Sequence, residues 1–435
     1  MDHSAQVGLQ WPLWRKIIFR FFFIYIALII SPWTWLDAIP GVSYVTQYYY
    51  QVMDWAVRKA NAKFFHVRKV LIEPNGSGDT SWAWAQTWLL LILALIGCIV
   101  WSILDRKRPN YFHLNYWLCL FTRYYIAMVA FTYGIIKLFA LQMFFPNLSQ
   151  LATPLGDFLP MRLSWMFIGY STPYQVFSGV METIVGLLLL YRRTATLGIL
   201  MGTAVFLNVM MLNLAYDIPV KLYSIQITLL CVFLLVNEWD RVFCFFILNR
   251  QAPACTIYYY PFTKKWMKVS RIILKTVFII IATGLQFYNT NNYYKQVFAP
   301  NEKQPVKQGV YTVETFVVNK DTIPVSMADT VRWQDVIFDK GSLGSIKTSD
   351  TSFRQRYRRA YFYYSFDSTA SHIDFKKFQG DSVSIATFRF EQPDSNTVFL
   401  KGKLRNDSLY VSLKRINRHF QLAEKQFHWL SEANR

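Results

Sequence analysis

The chain has 435 residues, 53% of them hydrophobic and only 17% charged, with a formal net charge of +20. That length allows two domains, and a charged share well below the ~25% of an average soluble domain excludes a wholly water-soluble fold. The positive charge is not a nucleic-acid footprint: it gathers at Arg15-Lys16, Asp105-Arg106-Lys107-Arg108 and Arg192-Arg193, beside apolar runs, where membrane topology and anionic lipid account for it, and no RNA-binding or zinc-finger pattern is present.

A bilayer core of ~30 Å needs about 20 mostly apolar residues. Seven such runs follow one another: Ile17–Trp35, Trp82–Leu104, Leu118–Phe144, Tyr174–Tyr191, Ala195–Leu214, Val220–Val236 and Val269–Gln286. The first runs on into the bulky Ser31-Pro32-Trp33-Thr34-Trp35. Signal peptidase requires small residues, so an uncleaved helix is expected. Between the first two runs lies an amphipathic stretch, Val42–Phe65, carrying Tyr48, Tyr49, Tyr50, Trp55, Phe64 and Phe65. It reads as a helix on the membrane surface or capping the bundle. Pro74-Asn75-Gly76-Ser77-Gly78 reads as a loop.

Arg15, Lys16 and Arg20 put the N-terminus in the cytoplasm, and Arg106–Arg108, Arg192-Arg193 and the loop with Arg241, Arg250, Lys264 and Lys265 then fall on the same side. Seven crossings leave the C-terminus outside. The outer segment with Arg58, Lys59, Lys63, Arg68 and Lys69 runs against this rule, but it is long and weighs less.

From Gly309 the pattern changes to period two. The runs Tyr311–Val318, Thr330–Phe338, Ser382–Phe390, Val398–Leu404 and Leu409–Ile416 alternate apolar and polar residues and are separated by turn clusters such as Asn319-Lys320-Asp321 and Asn406-Asp407-Ser408. This predicts an antiparallel meander, a small barrel or sandwich, closed by a strand over Phe427-His428-Trp429-Leu430. The expected organisation is a polytopic α-helical membrane domain over 1–289, a linker over 290–308 with Pro300 and Pro305, and an extracytoplasmic all-β domain over 309–435. The five cysteines, Cys98, Cys119, Cys231, Cys244 and Cys255, show no metal spacing, and the β domain has none, so no disulfide framework is expected.

A charge at the bilayer centre costs at least ~2.5–3.5 kcal/mol. Glu182 stands near the middle of its run, some 13 Å from either surface at ~1.5 Å per residue, too deep to reach water. Lys137, in Gly134-Ile135-Ile136-Lys137-Leu138, matches it in depth. Arg123 lies near the inner end of the same run. A buried Lys137–Glu182 pair would fix helix register or form a coupled pair able to move a proton. Asn208 and Asn213 follow on the next helix, roughly 140° apart, where an interhelical hydrogen bond is the plainer expectation. Tyr216, Asp217 and Lys221 make the following outer turn, with Asp217 expected to pair with Lys221. No phosphate loop, HExxH or Ser-His-Asp arrangement is present.

Arg123, Gly134-Ile135-Ile136-Lys137-Leu138, Gly179-Val180-Met181-Glu182, Gly186-Leu187-Leu188-Leu189-Leu190 and Arg192-Arg193-Thr194 resemble the DoxX-type four-helix membrane module over about 118–236. The lysine context is also similar to the membrane domain of vitamin K-dependent carboxylases, a wider relation in which the lysine is linked to proton abstraction. The resemblance implies an inner-membrane protein, in some members tied to quinone-linked or redox chemistry. Three readings follow. One is a site at Lys137 and Glu182 for a quinone or lipid, which as an enzyme would be a membrane oxidoreductase or a lysine-based proton-transfer catalyst. Another is a non-catalytic envelope anchor whose β domain binds a partner. The third, a transporter, lacks the inverted repeat and broken helices that would support it.

Overall fold

The computed structural model describes residues 10–38, 41, 43–76, 78–252, 263–299, 306–325, 332–367, 371–424, 427–430 and 432. The chain divides into two units, Met1–Gln142 with Thr172–Tyr294, and Met143–Ser171 with Lys295–Arg435.

The first unit is helical: α1 (Leu13–Ile30), α2 (Ser43–Ala60), α3 (Ser81–Leu104) and α4 (Phe112–Leu138) come first. Two short helices of the second unit, α5 (Leu148–Leu151) and α6 (Pro160–Tyr170), intervene. Then follow α7 (Thr172–Leu190), α8 (Ala195–Ala215), α9 (Lys221–Asn237), α10 (Trp239–Phe246) and the long α11 (Lys265–Val297), which contains a π-helical turn over Ile280–Leu285. Among the described residues, α1 with its 3-10 extension, α3, α4, α7, α8 and α11 are long and apolar enough to cross a membrane; α9 is apolar but has 17 residues, about 25 Å of helix.

All seven apolar runs fall on helices, with one displaced. The third was expected over 118–144, but its helix starts at Phe112 and stops at Leu138. It ends in a Schellman turn: Leu141 N–H donates to Ile136 O (3.0 Å), Ala140 N–H to Lys137 O (2.9 Å), and Ala140 takes the left-handed φ of 53°. Apolar composition alone cannot register such a stop, and Lys137 therefore stands in the last turn of α4.

Glycines bring α4 and α7 into backbone contact. A Cβ on Gly179 would lie 2.7 Å from Gly134 O and 2.8 Å from Leu138 N, and Phe131 fills the groove over Gly186. Where lipid tails are as apolar as leucine, close packing of this kind is what holds helices together. Ile126, Ala127, Phe131, Val185, Leu189, Ile199, Phe206 and Leu230 form the buried core around it. The amphipathic α2 is present, with Tyr44, Tyr48, Val52 and Trp55 exposed; Asp54 ties it to α3 by accepting from Trp82 Nε1 at 2.7 Å.

The second unit holds strands β1 (Gly309–Val318), β2 (Asp321–Thr322), β3 (Asp335–Phe338), β4 (Leu343–Ile346), β5 (Arg354–Arg356), β6 (Arg359–Asp367), β7 (His372–Lys376), β8 (Ala386–Glu391), β9 (Thr397–Leu404) and β10 (Asp407–Ile416). Each long strand pairs antiparallel with the next, and β10 returns to β1 with Val310 opposite Ile416, so eight strands close an up-and-down barrel; β2 and β5 are appended to β1 and β6. The barrel interior holds Phe338, Phe362, Phe375, Phe388 and Trp333, with Phe362 and Phe375 stacked at 4.1 Å; the strands β4, β6 and β7 lie in none of the alternating runs expected from the sequence. A barrel of this size has an interior that side chains can fill.

Phe427-His428-Trp429-Leu430 is not the closing strand. Phe427 and Trp429 are 77% and 91% exposed. Because β10 already pairs with both β9 and β1, closure leaves no edge to extend. The run expected from Ser382 begins as a strand at Ala386, and of the run over 330–338 only Asp335–Phe338 is strand, Thr330 lying outside the described residues. α11 continues to Val297, so the expected linker is helical at its start; Pro300, Pro305 and Cys255 lie outside the described residues.

Residues 143–171, which the sequence reading kept inside the helical module, pack in the β unit. Asp339 caps α5, accepting from Leu148 N–H (2.8 Å), Ser149 N–H (3.3 Å) and Ser149 Oγ (2.5 Å). A buried relay continues from it: Ser345 Oγ donates to Ser149 Oγ (2.7 Å) and Arg359 Nε to Ser345 Oγ (2.9 Å), while Arg359 also pairs with Asp335. Arg162 Nε donates to Tyr357 OH at 3.2 Å, and Arg358 pairs with Asp157 at 3.0 Å.

Candidate functional site

The glycine contact sets two charged side chains face to face. Lys137 Nζ, from the last turn of α4, donates to Glu182 Oε1 on α7. Gly134 and Gly179, three residues before each of them, allow the approach, and both side chains are buried, Glu182 to 1% exposure. The second carboxylate oxygen, Oε2, is buried and has no hydrogen-bond partner among the described residues. Buried polar atoms are nearly always paired, and one left open marks a place for a water, a proton or a ligand atom. Lys137 offers three donors, one of which goes to Glu182. The site therefore presents an ammonium and an open carboxylate oxygen together.

One tyrosine of α4 stands near the pair, and rings lead from it to α9. Tyr133, one turn before Lys137, is within electrostatic reach of Glu182, and its ring lies 6.2 Å from that of Tyr223. Tyr223 is hydrogen-bonded to Tyr125, whose ring stacks parallel to Trp35. Sequence reasoning missed these phenols because half-buried tyrosines at helical spacing look like ordinary core; the only available signal was Tyr133 lying four residues before the lysine.

The other candidate residues lie elsewhere. Arg123 is 14 residues from Lys137, about 21 Å along α4, with its guanidinium 5.7 Å from the Tyr124 ring. Asn208 is exposed and Asn213 buried. Tyr216 is exposed; Lys221 Nζ lies 2.6 Å from Asp217 and 3.7 Å from Asp79. Asp79, not singled out from the sequence, caps α9 by accepting from Lys221 N–H (2.8 Å) and Leu222 N–H (3.0 Å). This turn is thus a clasp between the 78–80 loop and α9. Among the described residues, no three His, Cys, Asp or Glu side chains gather to hold a metal.

No family model matches the chain, and no solved structure matches it. It is 30% identical over 131 residues to the uncharacterised protein YwoB of Bacillus subtilis (strain 168), an alignment covering 30% of this chain and 81% of YwoB. On that similarity the chain belongs to the family of YwoB.

Proposed function

We propose that the helical unit is a DoxX-like transmembrane bundle of a bacterial inner membrane, with the N-terminus in the cytoplasm and the β barrel outside, and that it binds a small apolar ligand with a carbonyl or hydroxyl group, a quinone or a lipid, at Lys137 and Glu182. The open Glu182 Oε2 beside a buried ammonium carries this reading. Lys137 donates to a ligand oxygen, and Oε2 accepts from a ligand hydroxyl or takes up a proton; a carbonyl that becomes a hydroxyl on reduction suits both groups in turn. Pockets between helices of a bundle are a usual place for such ligands. The basic inner loops support the orientation. The test is mass spectrometry of quinones and lipids that co-purify with the full chain. Wild type is expected to retain a defined species that Lys137→Ala loses. Full retention by Lys137→Ala overturns the reading.

The mutual hydrogen bond of Lys137 and Glu182 favours a second reading, a register-fixing pair in a non-catalytic anchor whose barrel binds an envelope partner. Wild-type protein that carries no defined small molecule, together with capture of a partner by the barrel face, would select it.

A further inference from the structure

At ~100° per residue, the helix α2 divides into three arcs. Thr46, Met53 and Val57 face inward: Thr46 and Val57 are buried, and Val57 shares a cluster with Leu71 and with Ala85 of α3. Gln47, Gln51, Asp54 and Arg58 make a polar arc. Tyr44, Tyr48, Val52 and Trp55 lie within about 80° of one another on the third arc, and all four are exposed. An apolar face fixed between a protein contact and a polar strip is the pattern of a helix lying in a bilayer interface, where tyrosine and tryptophan concentrate.

Packing sets the level of that face. Met53 lies against the cluster of Tyr25, Leu90 and Ala94, and Leu90 of α3 is about 13 Å from the start of its helix. α2 therefore sits beside the first turns of α3, one of the helices long and apolar enough to cross a membrane. Tyr49 joins it to the end of α1, with its hydroxyl 3.4 Å from Ser31 Oγ and its ring 5.5 Å from that of Trp33. An apolar face at that level meets lipid headgroups and the first carbons of acyl chains.

The charges suit an anionic surface. The carboxylates of residues 43–80 are taken within the protein, Asp54 and Glu73 by Arg58 (2.8 and 2.5 Å) and Asp79 by Lys221 (3.7 Å). Lys59, Lys63, Arg68 and Lys69 are exposed, and among the described residues no carboxylate pairs with them. Asn61 closes the turn that carries three of them: its Nδ2 donates to Arg68 O and its Oδ1 accepts from Val67 N–H, both at 2.9 Å.

We infer that α2 with residues 61–70 is an interfacial platform for anionic phospholipid. Tyr44, Tyr48, Val52 and Trp55 enter the bilayer beside α3, and Lys59, Lys63, Arg68 and Lys69 bind headgroup phosphates. The inference rests on the transmembrane reading of the bundle and is independent of the Lys137 site and of which way the bundle faces. It gives a role to basic residues that loop-charge counting leaves as an exception.

The test places photoreactive benzoylphenylalanine at Tyr48, Gln47, Phe64 or Leu95 of the full chain. The protein is irradiated in nanodiscs of equal phosphatidylglycerol and phosphatidylcholine, and adducts are identified by mass spectrometry. Leu95, exposed in the middle of α3, reports whether the bundle is in the bilayer. Lipid adducts are expected at Leu95 and Tyr48 and few at Gln47. At Phe64, phosphatidylglycerol adducts should exceed phosphatidylcholine adducts about five-fold, the gain from one basic residue near an anionic surface. Lys63→Gln with Arg68→Gln should bring that ratio near one; both side chains are exposed, so the variant keeps the fold. Adducts at Leu95 without adducts at Tyr48, or a Tyr48 cross-link to a second copy of the chain, overturns the inference. So does a ratio near one in wild type, or a ratio that the double variant leaves unchanged. No adduct at Leu95 refutes the transmembrane reading and the inference with it.

Discussion

Glu182 and Lys137 are held in a setting where one without the other is expensive. Removing one member of a buried pair leaves an uncompensated charge and costs about 3–5 kcal/mol, whereas apolar replacement of both is often near neutral. Glu182→Leu is therefore expected to lower the thermal midpoint sharply, and Lys137→Met with Glu182→Leu to regain most of the loss. A double-mutant cycle on detergent-purified protein measures this; a double variant no better than the worse single one would show that the pair is not an isolated electrostatic unit. Glu182 was legible in the sequence because a carboxylate in the middle of an apolar run has no cheap explanation. Asp79 was not. It lies in a loop where an acid looks solvated, and the amides it caps are 142 and 143 residues away.

At the scale of elements, hydropathy found the long apolar helices and alternation found β1, β3, β8, β9 and β10, because both signals are periodic and local, while β4, β6 and β7 were not singled out. The stop of α4 at Ala140 escaped, since alanine is not a residue whose type announces a left-handed cap. The α4–α7 contact gives a direct prediction. On Gly179 a methyl meets backbone atoms at 2.7–2.8 Å that cannot turn away, whereas on Gly97 it meets the flexible end of Ile24. Gly179→Ala should destabilise by about 1–3 kcal/mol, as overpacking does, and weaken ligand retention because Lys137 Cβ is among the atoms displaced. Gly97→Ala should cost less, and thermal unfolding of the two variants side by side checks the order. The docking of α5 gives another. Burial pushes the Asp339 carboxyl above its ordinary range, against the pull of Ser149, the Leu148 and Ser149 amides and Arg359. A carboxyl whose folded pKa is raised binds its proton more readily folded than unfolded, so the folded state gains as pH falls from neutral through the raised pKa, and the gain is complete below the ordinary carboxylate value. Relative to Asp339→Asn, wild type should therefore become more stable between neutral pH and about pH 4. Melting curves of the full chain over that range measure the difference; a gain that instead grows with rising pH would refute it.

For the whole molecule, the excursion 143–171 constrains topology more tightly than loop charges do. Ser149 and Leu148 donate to Asp339 of the barrel, so the α4–α7 connection and the barrel must occupy the same side of any membrane the bundle crosses. On the proposed orientation, with a cytoplasmic N-terminus, α1, α3 and α4 would bring the chain outside at the excursion. If only the six long helices crossed, the barrel would emerge in the cytoplasm and that hydrogen bonding could not form. The proposed orientation therefore requires the 17-residue α9, about 25 Å long, to cross as well. The sequence already counted this run, the shortest of the seven, as a crossing; what it did not show was the excursion 143–171, which read as part of the helical module. On this reasoning, alkaline phosphatase inserted after Leu155, or fused after Asn417, should be active, and the enzyme fused after Arg193 or Arg250 inactive. Activity after Leu155 without activity after Asn417 would mean that α9 does not cross, and the seven-span orientation would have to be abandoned.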